Sequence, residues 1–586
     1  MLVSVVIPTY NPGRYLDPGI DSLLAQTLGP DEFEIVIVDD GSTDGTPDRL
    51  DALAATHPNV VVVHSEHSGW PGRPRNLGID RARGEFIQFM DQDDRMAPDA
   101  LRRLTDTGRR NRSDIVLGKV ASDFRGVALD LYRRDRGSCT IHDSPLISSL
   151  TPHKMFRRSF LNEHGLRFPE GRRRLEDQLF VVKAYFAARV ISITADEPLY
   201  FYMKRDDGGN AGSKPNAVAE GYYDNLREVL DVVVANTEPG PQRDHLMRRF
   251  LRAQLVGRLA GGPFLTWPPD HRATVFAIIR DVIVDYVDPG VDASLGAITA
   301  LRMRLIREDR PADLLTLAER TSELMAPSQI ESVRWAGGRL EVAFSAEIRH
   351  RDGTPFEFGR TGGRTTLDPG LSQDLIGSSI DVTDEIADIR LTTIVRERTS
   401  GVEWQTSTNV TLDWVPAGSD AGALPRSRLV FQGTCRADLE SVGGGRPLAP
   451  GDWSLRSRLA AFGLSLERVL GAETSADRVV DMPIPQFIEP DLIVTPRLST
   501  GAGMALGVSR VAEPPRAGSV YRRPIGSIWK IRATVERAGR RAHARLPHVV
   551  QRRSIAMVRS VRRAIRAQTP PRLIGRRSAR CQVSKR

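Results

Sequence analysis

Over the first 120 residues short apolar runs alternate with amphipathic stretches: VSVVIPTY, a helical pattern through Ile20, Leu23 and Leu24, then EIVIVDD, another helical stretch, and VVVVH. A further strand pattern, EFIQFMDQDD, follows at about residue 85. Apolar strands separated by helix-length segments predict a parallel, doubly wound α/β sheet with helices on both faces. Ligands of such sheets bind outside the carboxyl ends of the strands. That rule locates a candidate site before any chemistry is considered.

Four polar clusters fall where that rule directs attention. They are Pro8-Thr9-Tyr10-Asn11, the run Asp39 to Asp44 (DDGSTD), Asp91-Gln92-Asp93-Asp94, and, further on, Leu175-Glu176-Asp177. Alone, each has a plain structural explanation: Asn11, Ser42 and Asp44 suit helix caps, and Glu176-Asp177 suits the positive end of the apolar helix QLFVVKAYF. Together at one sheet edge they are poorly explained as caps. Residues at i and i+2 of an extended segment point the same way, so Asp91 and Asp93 can address one hard cation. Mg²⁺ or Mn²⁺ takes oxygen ligands from one or two carboxylates, phosphates and water, and there it would neutralise a departing diphosphate.

The runs SVVIPTYN, IVIVDDGSTDGT, GWPGRPRNLGIDRARGEFIQFMDQDD and LEDQLF, in that order, resemble the family 2 glycosyltransferases with the GT-A fold. More narrowly, the PGRPRNLG run, followed by helical and β-rich regions, resembles wall teichoic acid enzymes that attach N-acetylglucosamine to poly(ribitol phosphate). The resemblance implies that Pro8, Thr9, Tyr10 and Asn11 line the nucleotide pocket and that Asp40 accepts from the uracil ring. It implies that Arg75, with its neighbour Asn76, contacts pyrophosphate or donor sugar, and that His67 stands where relatives carry Asn, which leaves the base or ribose contact there open. Asp93 becomes the principal metal ligand, with Asp91 shared between metal and ribose. Asp177, beside Glu176, becomes the general base that takes the proton of an attacking hydroxyl while the nucleotide leaves from the opposite face. A glycine-bearing loop at 200–214, with Lys204 and Arg205, reads either as a cover for a diphosphate or as a plain exposed loop. His153 and Lys154, in TPHKMFRRS, would approach the donor sugar or else serve a surface role.

At 586 residues the chain needs several cores. The patterns predict a catalytic domain over 1–215, a helical linker over 216–327, one or more β-sandwich-like modules over 328–495, and a basic tail over 496–586. The net charge is +9, yet residues 521–586 hold 20 Lys and Arg against the single acid Glu536. The remainder is therefore acidic. Within the tail, Ile555, Val558, Val561 and Ile565 share a helical face among arginines, as in a helix lying on an anionic membrane; a solvated, disordered tail explains it equally, and nucleic acid explains it less well because interleaved aromatics are missing.

Three scattered cysteines exclude a disulfide framework, and no apolar run of about 18 residues occurs. A cytoplasmic protein, peripheral at most to the inner face of the membrane, is expected. The expected reaction is inverting transfer from a UDP-sugar, UDP-GlcNAc among the donors considered, to a cell-surface polymer or lipid-linked precursor; self-association through the β-modules is a further expectation. Two rivals are a carbohydrate-binding scaffold that keeps the transferase shape, and a processive synthase, whose Gln-x-x-Arg-Trp motif and membrane helices are missing here. A nucleotidyltransferase would need a Gly-rich, basic loop after its first strand, of which NPGRYLDPG is a poor version.

Overall fold

The computed structural model describes residues 1–210, 221–417, 425–474 and 480–511. Its first sheet has nine strands: β1 (Val3–Thr9), β2 (Phe33–Asp39), β3 (Val60–His64), β4 (Phe86–Phe89), β5 (Arg95–Met96), β6 (Ile115–Ser122), β7 (Arg136–Cys139), β8 (Met155–Arg157) and β9 (Ile191–Tyr202). They lie in the order β3-β2-β1-β4-β8-β6-β9-β5, with β7 on β9. β1 and β2 are buried at every position, as expected of strands covered on both faces. The parallel pattern read from sequence holds across β3-β2-β1-β4. Beyond it the sheet is mixed, because β8 runs antiparallel to both β4 and β6.

Six helices belong to this layer: α1 (Asp17–Leu24), α2 (Thr46–Thr56), α3 (Gly72–Arg81), α4 (Ala100–Arg110), α5 (Arg158–Glu163) and α6 (Glu176–Ala187). α3 packs so closely on β1 that a Cβ at Gly78 would stand 2.2 Å from a methyl of Val6. Only glycine permits that approach. Another six follow: α7 (Tyr222–Ala235), α8 (Pro241–Gln254), α9 (Pro263–Thr266), α10 (Pro269–Tyr286), α11 (Ala297–Arg307) and α12 (Pro311–Ser322). Leu226, Val229, Leu230 and Val233 of α7 recur at helical spacing and are fully buried, which is why this stretch is helix.

From residue 324 onward most strands join one antiparallel sheet of twelve. Its axis is the 15-residue strand Glu403–Ala417. Residues Glu403–Thr406 pair with strand Arg390–Glu397, whereas Ser407–Ala417 pair with strand Arg426–Ala437. One strand thus serves both halves of the sheet, a device by which β layers turn corners. The β region also runs past residue 495, where the sequence pattern ended it: strands Leu492–Ser499 and Gly503–Arg510 pair with each other along their length. Residues 512–586, and with them the basic helix or disordered tail, lie outside the described residues.

This sheet is joined to the catalytic layer through buried contacts. Lys119 of β6 places its ammonium 3.1 Å from the centre of the Trp404 ring and donates to the Glu403 carbonyl at 3.1 Å. Burial pulls that ammonium down to about 7. Gly401, at φ +67°, lets the turn beside it press on Ser122, where a Cβ would stand 1.8 Å from the carbonyl oxygen. Arg446 pairs with Glu197 nearby.

Candidate active site

The carboxyl ends of β1, β2 and β4, the loop after β3 and the start of α6 open onto one cleft of about 620 Å³. Pro8, Thr9, Tyr10, Asp40, His67, Arg75, Asp91, Asp93, Glu176 and Asp177 all line it. Asn11 and Asn76 do not. Asn11 accepts from the Thr43 amide at 2.8 Å and its own amide donates to Ser42 Oγ at 2.9 Å, so it ties the first loop to the second. Asn76 donates to the Phe168 carbonyl and Glu170 and accepts from the Phe168 amide, each at 2.9 Å. In this structure the side chains of both residues are engaged by the fold itself.

At the nucleotide end, Asp40 accepts from the amides of Ser68 at 3.0 Å and Gly69 at 3.2 Å, and His67 Nδ1 lies 3.1 Å from its carboxylate. The His67 ring stacks on Tyr10 with centroids 4.1 Å apart. A separation that small admits no base between the rings, so a nucleobase would have to lie on an outer face or edge of the pair. Thr9 Oγ1 is buried with no partner among the described residues.

Arg75 forms the centre of the cleft. It is 4% exposed and bonds Asp91 at 2.9 Å through one terminal nitrogen and Glu176 at 3.2 Å through the other. Its guanidinium carbon lies over the Phe168 ring, 5.2 Å from the centroid. Through these two bonds the guanidinium joins the β4 cluster to the α6 cluster, while its Nε has no hydrogen-bond partner among the described residues. Glu176 also accepts from Trp70 Nε1 at 2.9 Å, and the indole is covered by Arg174 at 5.3 Å. Glu176 is therefore a tie between α6 and the loop after β3.

Asp91 has its other oxygen 3.0 Å from His153 Nε2. Despite burial, His153 and Arg75 hold this carboxyl far below the usual range. Asp94 accepts from Tyr200 OH at 2.7 Å and the Met203 amide at 3.0 Å. Burial and the neighbouring Asp91 and Asp93 push Asp94 well upward. Asp91, Asp94 and His153 offer ligand atoms within 4.8 Å of one another, but each is already held by internal partners. Asp93 is different. Its one hydrogen-bonding side-chain partner among the described residues is Asn210, at 3.1 Å, and burial with the Asp91 charge pushes it up to about 6. A buried carboxylate under like-charge repulsion, with oxygens to spare, is chemically suited to a divalent cation.

On the other side of the cleft, Leu175 adopts φ +62° immediately before α6. This left-handed residue, costly for leucine, turns the chain so that Glu176 and Asp177 form the first turn of the helix. Burial first, then the Glu176 charge, pushes Asp177 up to about 7. A carboxyl that titrates near neutrality in a cleft is matched to general base work. Of the loop after β9, residues 203–210 are described: Arg205 lies over Tyr15 at 4.1 Å, and Asp206 pairs with Arg14 and Tyr15. Lys204 is in this loop, whereas residues 211–214 lie outside the described residues.

Residues 4–172 match the family profile "Glycosyl transferase family 2". The chain therefore carries a family 2 glycosyltransferase domain, on the nucleotide-sugar transferase fold that its sheet order and strand-end cleft define. Residues 219–318 match the "Glycosyl transferase TarS linker domain", which narrows the kind of enzyme in which such a domain occurs. The poly(ribitol-phosphate) beta-glucosyltransferase of Bacillus spizizenii is 36% identical over 253 residues, 43% of this chain and 40% of its own. The poly(ribitol-phosphate) beta-N-acetylglucosaminyltransferase TarS of Staphylococcus aureus is 32% identical over 253 residues, 43% of this chain and 44% of its own. The chain thus spans less than half the length of these curated relatives. A crystal structure of S. aureus TarS 1–349 in complex with UDP-GlcNAc aligns with TM-score 0.49 and 27% identity, covering 61% of this chain and 98% of that one.

Proposed function

We propose that this chain is an inverting glycosyltransferase that moves a sugar from a UDP-sugar to a hydroxyl of a cell-surface polymer or its lipid-linked precursor. The named relatives glucosylate or N-acetylglucosaminylate poly(ribitol phosphate), and these are the donor and acceptor classes proposed here. The observation that supports the proposal is the cleft in which Arg75 bridges Asp91 and Glu176, with Asp93 and Asp177 lining the same cleft.

The acceptor hydroxyl loses its proton to Asp177 as its oxygen forms the new bond to the anomeric carbon, and the bond from that carbon to the diphosphate breaks on the opposite face. Asp93 would hold Mn²⁺ or Mg²⁺, which when bound supplies neutralisation of the leaving diphosphate. Asp91, held by Arg75 and His153 with acceptor sites to spare, would fix the turn that presents Asp93 and share the metal or ribose with it. Pro8, Thr9, Tyr10, Asp40 and His67 would hold the nucleotide. Glu176 orients Arg75 and keeps the proton-accepting face of α6 in register with the donor. The proposed domain boundaries are those of the catalytic layer, the helical region and the twelve-stranded sheet, and the basic tail is proposed to meet an anionic membrane or polymer.

The test is a screen of nucleotide sugars for Mn²⁺-dependent release of UDP. Turnover of UDP-GlcNAc or UDP-glucose is expected, and a chain that turns over neither, with or without a poly(ribitol phosphate) acceptor, removes the proposal.

A further inference from the structure

Tyr222 opens α7, beyond the catalytic layer, and yet it lines the cleft together with Asp177 and Gln178. It is 7% exposed. Its phenolic oxygen accepts from Gln254 Nε2 of α8 at 3.0 Å and from a terminal nitrogen of Arg258, in the short turn after α8, at 2.9 Å. Further bonds tie this group to α6. Arg249 of α8 donates to Gln178 Oε1 at 3.3 Å and to Gln254 Oε1, and the Gln178 backbone amide donates to the Asp177 carboxylate at 2.8 Å. Bonded residues thus run from Asp177 through Gln178, Arg249 and Gln254 to Tyr222, which puts the phenol on the α6 side of the cleft.

The directions of these bonds are fixed by chemistry. A guanidinium only donates, so Arg249 must meet the oxygen of the Gln254 amide, and that leaves the NH₂ group to face Tyr222. Arg258 can only donate as well. The Tyr222 oxygen therefore receives two donors, neither of which can take its proton, and no group among the described residues accepts the O–H in turn. Fastening α7 to α8 needs the oxygen alone. The proton is left over, on a buried residue that lines the cleft, and buried donors are ordinarily paired. Two donors on the oxygen, one of them charged, also polarise the O–H and strengthen it as a donor.

We propose that Tyr222 is an acceptor-binding residue: its O–H donates to an oxygen of the incoming acceptor, beside the hydroxyl whose proton Asp177 takes. The nucleotide end of the cleft is built by Thr9, Tyr10, Asp40 and His67 from other elements, whereas Tyr222 is tied to the helix that carries Asp177. The proposal rests on the transferase function proposed above and on Asp177 marking the acceptor side. It gives the helical region a direct share in the active site.

The experiment is initial-rate kinetics of the full chain with UDP-GlcNAc and UDP-glucose as donors and poly(ribitol phosphate) as acceptor, with UDP release in the absence of acceptor as a second readout. Tyr222→Phe is expected to raise the acceptor KM roughly tenfold, with donor KM and acceptor-independent UDP release unchanged. A fluorinated tyrosine placed at position 222 keeps both bonds onto the oxygen but gives up its own proton at lower pH. Its acceptor KM should therefore climb at lower pH than that of wild type while donor KM stays level, and it carries the test should the phenylalanine variant fail to fold. An unchanged acceptor KM in Y222F, or a fluorotyrosine profile that coincides with wild type, overturns the proposal. So does a loss shared equally by transfer and acceptor-independent UDP release, which is what a loosened contact between α7 and α8 would give. If wild type transfers sugar and Y222F matches it, only Tyr222 loses its role. A wild-type chain that transfers neither sugar removes the transferase reading, and this contact with it.

Discussion

At the scale of single residues, Asp177 carries opposite demands. Its ordinary carboxyl midpoint is near 3.9, and in the fold it is pushed up to about 7. The native state therefore holds a proton that the unfolded chain has released between these values, and stability falls as pH rises through that window. Asp177→Asn should melt a few degrees above wild type at pH 8 and level with it near pH 4, while transfer drops by about 10²–10⁴-fold with UDP affinity retained. An unchanged rate would take Asp177 out of the mechanism. Asp93→Ala should abolish the gain in UDP affinity that Mn²⁺ gives, measured by calorimetry; normal Mn²⁺-dependent affinity would leave the cation without its proposed ligand. The strand-end carboxylates were legible because they sit in local runs beside apolar strands. His153, Asp94, Tyr200 and Trp70 gain their partners across long sequence separations, such as 109 residues between Asp91 and Tyr200 and 106 between Trp70 and Glu176. No local spacing announces such pairs. The partners of Asn11 and Asn76 are likewise distant in sequence, Thr43 at 32 residues and Phe168 at 92.

At the scale of elements, the close seat of α3 on β1 sets where Arg75 emerges. Gly78→Ala would improve helix propensity by up to ~1 kcal/mol, but its methyl would meet Val6, a fully buried, stiff side chain, at 2.2 Å. Overpacking of that severity should outweigh the gain, for a net loss of about 1–3 kcal/mol in a denaturant titration; a stabilised variant would show that α3 can shift. Periodicity made the helices between 222 and 322 readable, since a buried stripe every three to four residues is a property of the segment itself. The last two strands were hidden because PRLSTGAGMALG, with its proline and glycines, has the composition of a loop. Pro496 nonetheless sits in register opposite Leu506. The mixed half of the first sheet was equally unreadable, because β8 is only three residues long.

At the scale of the whole molecule, the twelve-stranded sheet and the catalytic layer share a buried seam. Trp404→Ala removes the ring over Lys119 and should cost about 3–5 kcal/mol in a denaturant titration, with UDP binding preserved; a loss below 1 kcal/mol would mean the seam is not a stabilising interface. Among the described residues no helix is long and apolar enough to cross a membrane. Flotation with phosphatidylglycerol vesicles should lift the full chain at low salt and not a chain ending at residue 520, and equal flotation would sink the tail's proposed role. The seam also imposes an order in time. Lys119 and the Glu403 carbonyl that receives it are 284 residues apart, so at ~5–20 residues per second a ribosome makes the second roughly 15–60 s after the first. Through that interval the nascent transferase domain carries a solvated lysine where the finished protein has a dry one, and shedding its water is among the later events of assembly.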